Sequence, residues 1–192
     1  EILKGDRPAD GYRVLDLCAA PGGKSMHAAS KLRRYGMHGS ILSFDISEHK
    51  LGITLDNIRR MRCDDMISTD ISDATVYDEK LCESAYLVLA DVPCSGLGVI
   101  GKKPDIKYNV TKQSLDEIVA LQKSIIDNAV RYVKPGGVLV YSTCTMRRAE
   151  NDKNAEYIAS HEGFELKAVK QLYMEDGHDG FYTAVFRKTD GH

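Results

Sequence analysis

From Arg13 to Tyr141 the chain alternates short, nearly continuous apolar runs with longer stretches whose apolar positions recur three and four residues apart. The short runs predict strands at Arg13 to Leu17, Ser40 to Phe44, Asp65 to Ser68, Ala85 to Ala90 and Gly137 to Tyr141. The stretches between them predict helices around Lys24 to Arg34, Ser47 to Arg62 and Thr111 to Val133. The third is the clearest: Leu115, Ile118, Val119, Ile125, Ile126, Ala129, Val130 and Val133 recur at helical spacing, and Pro135-Gly136-Gly137 stops the helix. A shorter helix around Glu150 to Ser160 precedes two strand-like segments, FELKAVK and FYTAVFRK, joined by EDGHDG; a polar lead-in, EILKGDRPADGY, precedes the first strand. Strands alternating with helices give a mostly parallel, doubly wound sheet covered on both faces, and the terminal hairpin adds an antiparallel edge. No repeat, linker or low-complexity segment interrupts the pattern. Residues 1–192 are therefore read as one α/β domain.

Composition narrows the setting more than the chemistry. The 192 residues suffice for a substantial core, and 43% hydrophobic with 28% charged residues is ordinary for a globular protein. No apolar run approaches the roughly 20 residues needed to span a bilayer, and no secretory signal is recognised, so no membrane association is expected. Five cysteines in no compact framework predict reduced thiols and a cytoplasmic location. A net charge of −2 offers no overall pull toward nucleic acid, so a polyanion would need a local patch. The candidate groups are Lys31, Arg33 and Arg34; Arg59, Arg60 and Arg62; Lys102, Lys103 and Lys107; and Arg147 with Arg148.

Two stretches carry candidate chemistry. VLDLCAAPGGKS reads as a strand, a turn of small residues and a helix start, letting backbone amides approach a ligand where the helix dipole favours an anionic group. Some 20 residues on, Asp45 ends the next strand, where an acid accepts hydrogen bonds from ribose hydroxyls in nucleotide-binding sheets. Loop and acid together point to a nucleoside ligand. The dinucleotide fingerprint G-x-G-x-x-G is absent, and the phosphate-loop spacing fails because Gly22 and Gly23 directly precede Lys24. Asp70, after the third strand, could accept from an adenine amino group, with Asp64, Asp65 and Asp73 as rivals.

The second stretch is LADVPCSGLG, where a buried strand ends in Asp91 and breaks into a turn carrying Cys94; Cys144 ends another strand in GGVLVYSTCT. Ligands of open α/β sheets bind outside the carboxyl ends of the strands, so both thiols would face the nucleoside site if these strands neighbour the first. Zinc is disfavoured, since no C-x-x-C or histidine pair accompanies them. Cys63 and Cys82 read as ordinary residues.

VLDLCAAPGGK, DVPCSGLGVIGKKPDIKY and YSTCT, in this order, resemble the RNA cytosine-5 methyltransferases of the NOL1/NOP2/Sun family, and the likeness runs from Val14 to Lys188. It implies a Rossmann-like, class I S-adenosylmethionine-dependent methyltransferase fold. The donor would be held by the loop Cys18, Ala19, Ala20, Pro21, Gly22, Gly23 and Lys24, with Asp45, Asp70 and Asp91; family pattern selects Asp70 over its rivals. It further implies an RNA substrate, bacterial small-subunit (16S) rRNA first and tRNA as the alternative, acting as a monomer. Residue chemistry leaves open which cysteine attacks. Family precedent assigns the nucleophile to Cys144 and gives Cys94 an accessory part in releasing product. Lys102, Lys103 and Lys107 become the phosphate-contact candidates, although Gly101 stands where the family usually has a further basic residue. Family members usually carry an N-terminal RNA-binding region, so the chain is expected to correspond to the catalytic domain. A non-catalytic RNA- or ribosome-binding module that retains donor affinity is the competing class. An amino-group methyltransferase is disfavoured, because DVPC offers a thiol where those enzymes place an aromatic.

Overall fold

The computed structural model describes residues 11–174 and 178–190; most of the polar lead-in and the first half of the EDGHDG connection lie outside the described residues. Seven strands form one sheet: β1 (Tyr12–Asp16), β2 (Gly39–Asp45), β3 (Ile67–Ile71), β4 (Ala85–Asp91), β5 (Val133–Thr143), β6 (Phe164–Leu172) and β7 (Phe181–Lys188). Their order is β3-β2-β1-β4-β5-β7-β6. β1 to β5 run parallel, and β7 pairs antiparallel with both β5 and β6. The chain leaves β1 toward β2 and returns to β4 on its other side, so a crevice opens at the carboxyl ends of β1 and β4.

The helices are α1 (Gly23–Arg34), α2 (Glu48–Arg60), α3 (Ile106–Asn109), α4 (Lys112–Tyr132) and α5 (Asp152–Ala159). Side chains alternate across each strand, which splits the core in two. Val14, Ile41, Leu87 and Leu89 pack with Ala28, Ala29 and Leu32 of α1 and Ile58 of α2. Leu15, Val88 and Leu139 pack with Ile125, Ile126 and Ala129 of α4 and Ile158 of α5. Each fully buried aliphatic side chain contributes about 1.5–3 kcal/mol, so the near-continuous apolar strands hold the sheet between its layers.

Helix starts differ in a way that matters for the site. At α4, Thr111 and Ser114 exchange side-chain-to-amide bonds in a capping box. At α2, the Ser47 hydroxyl accepts from the Lys50 amide. The start of α1 has no side-chain cap; Gly22 precedes it in the left-handed region at φ 94°.

The largest departures from the sequence reading fall in β5 and β3, the latter ending at Ile71 rather than Ser68. β5 starts at Val133, not Gly137, and passes through Pro135-Gly136. The register against β4 jumps from Ala85↔Val133 to Leu87↔Val138, a bulge that accommodates a proline unable to donate to the ladder. β3 begins at Ile67, because Asp65 lies in the turn after α2, paired with Arg33. The short helix α3 had no counterpart among the predicted elements. Among the described residues, no helix is long and apolar enough to cross a membrane.

Candidate active site

The crevice has two sides. On the first, Asp16 ends β1 with 0% exposure. Its Oδ2 accepts from the Ser25 hydroxyl of α1 at 2.6 Å. Its Oδ1 has no hydrogen-bond partner among the described residues. Burial pushes this carboxyl up to about 6. Asp16 lines neither the cavity beside it nor the groove along α1; it is a buried acid beneath the turn, and the Lys24 charge and the Cys18 backbone partly offset its burial.

Next to it lies a cavity of about 160 Å³ between the ends of β1, β2 and β3 and the flank of α4, lined by Cys18, Asp45, Lys50, Ser72 and Asp73 against Ile125. Asp45 is buried and accepts from the Ser47 amide at 3.1 Å. The Thr75 amide and hydroxyl both donate to Asp73, at 2.9 and 2.7 Å, and hold its carboxyl below the usual range. Burial, reinforced by Asp16, Asp45 and Asp91, pushes the Cys18 thiol up to about 12 and leaves it inert.

On the other side β4 and β5 are neighbours in parallel register, with Asp91 opposite Ser142. Both Asp91 oxygens are engaged: Ser142 Oγ donates at 2.6 Å and Lys24 Nζ at 2.5 Å. Lys24 Nζ also lies 5.3 Å from the centroid of the Phe181 ring. Three residues beyond Asp91, the Cys94 sulfur lies 3.1 Å from that of Cys144. The Cys144 amide donates to the Cys94 sulfur at 3.3 Å. Gly98 makes this approach possible. Its amide donates to the Cys144 carbonyl at 2.9 Å, its carbonyl accepts from the Gly180 amide at 2.7 Å, and a Cβ on it would sit 2.7 Å from the Cys144 carbonyl oxygen.

The thiols are unequal. The hydrogen bond from Cys94 lowers Cys144 to about 7, assisted by Lys103 and opposed by burial and Asp91. The same bond, with burial, pushes Cys94 well above the usual thiol range. The shared hydrogen bond favours one thiolate across the pair, in the direction of the less enclosed Cys144.

The residues expected from sequence divide accordingly. Asp91, Cys94 and Cys144 share one rim. Asp45 and Cys18 share the cavity. Gly23 and Lys24 line a separate groove of about 540 Å³ instead, and Ala19, Ala20, Pro21 and Gly22 line neither space. Asp70 is exposed and absent from the cavity lining, where Asp73 stands in its place. Asp70 is still within β3, paired with Phe44 and bonded to its own neighbour's amide; the chain turns toward the cavity only after Ile71. Lys102, Lys103 and Lys107 are exposed, with Lys102 Nζ bonded to Asp179 at 2.6 Å. Sequence reasoning missed Asp16, Ser142 and Phe181. An acid interrupting the apolar run VLDLC was the available signal for Asp16; the other two follow only from strand register.

The family model described as 16S rRNA methyltransferase RsmB/F matches residues 6–187. Ribosomal RNA small subunit methyltransferase B of Pectobacterium carotovorum is 35% identical over 192 residues, covering 94% of this chain and 43% of that protein. The probable ribosomal RNA small subunit methyltransferase B of Bacillus subtilis is 36% identical, covering 94% of this chain and 44% of that protein. The chain thus spans less than half the length of these relatives. Among solved structures, NSun6 from Pyrococcus horikoshii with SFG superposes with a TM-score of 0.80 at 29% identity, covering 94% of this chain and 48% of that one. A methyltransferase homolog protein from the same organism gives 0.79 at 27% identity, covering 95% and 62%.

Proposed function

The chain belongs to the 16S rRNA methyltransferase RsmB/F family, and we propose that it methylates carbon-5 of a cytosine in small-subunit rRNA through a covalent bond to Cys144. The observation that carries this reading is the pair of sulfurs 3.1 Å apart on the rim that also holds Asp91. S-adenosylmethionine, when bound, supplies an electrophilic methyl group. The buried Asp45 carboxylate and Asp73, both on the cavity wall, fit a cationic nucleoside, and these residues with Cys18 would hold it.

Carbon-5 of cytosine is a poor nucleophile, which is why a thiol is needed. The Cys144 thiolate adds to carbon-6, and the ring electrons then make carbon-5 enamine-like. Asp91 faces the exocyclic amino group and ring nitrogen 3, while the Lys24 ammonium beside it offsets the charge that builds on the ring. Once carbon-5 carries the methyl group, a base removes its proton, the carbon-6–sulfur bond breaks, and the electron pair returns to Cys144. Cys94 acts in this release. The base must be unpaired or flipped to reach the rim.

RNA carrying 5-fluorocytosine tests the scheme, because fluorine cannot leave as a cation and the adduct cannot break down. With S-adenosylmethionine present, the chain should form an SDS-resistant complex with a small-subunit rRNA fragment. Cys144→Ala should abolish it and Cys94→Ala should retain it. Donor binding with no complex would identify a non-catalytic RNA-binding module; preferential trapping on tRNA would reassign the substrate.

A further inference from the structure

Glu150 is fully buried, yet it touches neither thiol and lines neither the cavity nor the groove. Its carboxylate joins the two cysteine loops. Oε2 accepts from the Ser95 amide at 2.8 Å and from Gln122 Nε2 at 3.1 Å, and Oε1 accepts from Arg147 Nη1 at 3.1 Å. Gln122 Nε2 also donates to the Pro93 carbonyl at 2.9 Å, so the residues on both sides of Cys94 are held by this one cluster. Toward Cys144, the Ser95 hydroxyl lies 2.9 Å from that of Thr145, and Asn151 donates to the Thr145 carbonyl at 3.0 Å. The Tyr141 hydroxyl and Asn154 close the cluster on the Glu150 carbonyl. A buried carboxylate is unfavourable unless its lone pairs are used, and apolar side chains would fill the same space without that penalty.

We infer that Glu150 is a positioning residue that fixes Cys94 against Cys144 and so governs how fast the covalent RNA adduct is resolved. The inference rests on the covalent reading above. The two loops are unequally supported. Cys144 directly follows Thr143, which is paired with Tyr182 in the sheet, and its own carbonyl is held by Gly98. Cys94 sits in irregular chain, with Pro93 held by Gln122 and Ser95 by Glu150. Loosening the cluster therefore displaces Cys94 more than Cys144. Attack persists and release fails.

Glu150→Gln keeps the shape but turns an amide N–H₂ toward Ser95 N–H, Gln122 N–H₂ or Arg147, so donor meets donor. With S-adenosylmethionine and RNA bearing ordinary cytosine, kcat should fall about 100-fold while KM for RNA holds within about threefold. An SDS-resistant adduct with ordinary cytosine should accumulate, as it does not for the parent. Arg147→Met, which removes one donor from the solvent side, should show the same adduct with a kcat loss of about five- to tenfold. If Glu150→Gln fails to fold, Arg147→Met decides alone. A parent that 5-fluorocytosine RNA does not trap sinks the covalent reading itself. A trapped parent whose variants keep parental kcat, or lose kcat with no ordinary-cytosine adduct, overturns the role of Glu150 and leaves that reading standing.

Discussion

The two sides of the crevice are built by different means. On the donor side the contacts that shape the acids are short in sequence: Asp45 with Ser47, Asp73 with Thr75, and Asp16 with Ser25. On the thiol side they join distant segments: Cys94 with Cys144, 50 residues apart, Ser95 with Glu150, 55 apart, and Lys24 with Asp91, 67 apart. Local turns and a helix start orient each acid of the first, although β1, β2, β3 and α4 must assemble to enclose the cavity. The second exists only once β4 and β5 are in register and a buried polar cluster has closed behind them. Donor affinity should therefore survive lesions that destroy the thiol rim.

Asp91→Asn is the severest way to break that division. It keeps the shape of the side chain but removes the charge that Lys24 and Ser142 both contact. Methylation should drop about 10²–10³-fold, the range for losing one preorganised group at a reacting centre. Calorimetric donor affinity should stay within about twofold, because Asp91 does not line the cavity proposed for the donor. A parallel loss of donor affinity would merge the two sides into one site.

Asp16→Asn sharpens the comparison from the other side. The folded carboxyl titrates at about 6 against an ordinary 3.8, so the fold holds a proton that the unfolded chain has already lost. That proton favours the fold below about pH 4, and the contribution is lost as pH rises through about 6. At pH 7.5 the buried charge therefore costs up to about 3 kcal/mol. Thermal unfolding should show Asp16→Asn to be the more stable chain at pH 7.5, with the gap closing below pH 4. A gap that ignores pH would mean that the carboxylate is not carrying an uncompensated charge.

The same contrast explains what the sequence could disclose. Periodicity placed the helices of both layers and most strand ends, because alternation and helical spacing are local. The position of Asp45 at a strand end, on the cavity wall, was legible from its distance to the glycine turn. Both thiols were legible as strand-end residues. Asp70 and Asp73 could not be separated by spacing, since the choice depends on where β3 stops following β2. Glu150 reads from the sequence only as the start of a short helix; its burial is decided by Gln122, Arg147 and Ser95. β5 began early because a bulge against β4 tolerated the proline that should have ended the preceding segment.

The smallest effect concerns the basic loop beyond Cys94, where the three lysines are not equivalent. Lys102 is already bonded to Asp179, and Lys107 Nζ rests 4.8 Å from the centre of the Tyr108 ring. Neither Lys103 nor Lys107 has an ion-pair partner among the described residues. A free ammonium on a single-stranded phosphate releases a counterion and adds about 0.7 to the slope of log K against log salt. Lys103→Ala and Lys107→Ala should each weaken RNA binding about two- to fivefold across sequences and flatten that slope by about this amount, read by fluorescence anisotropy. Lys102→Ala should flatten it less, because Asp179 already supplies the opposing charge. A full slope change for Lys102 would mean that RNA displaces Asp179. Asp179 lies next to the Gly180 contact with Gly98, so release of that pair would carry RNA binding directly to the segment that holds Cys144 in place.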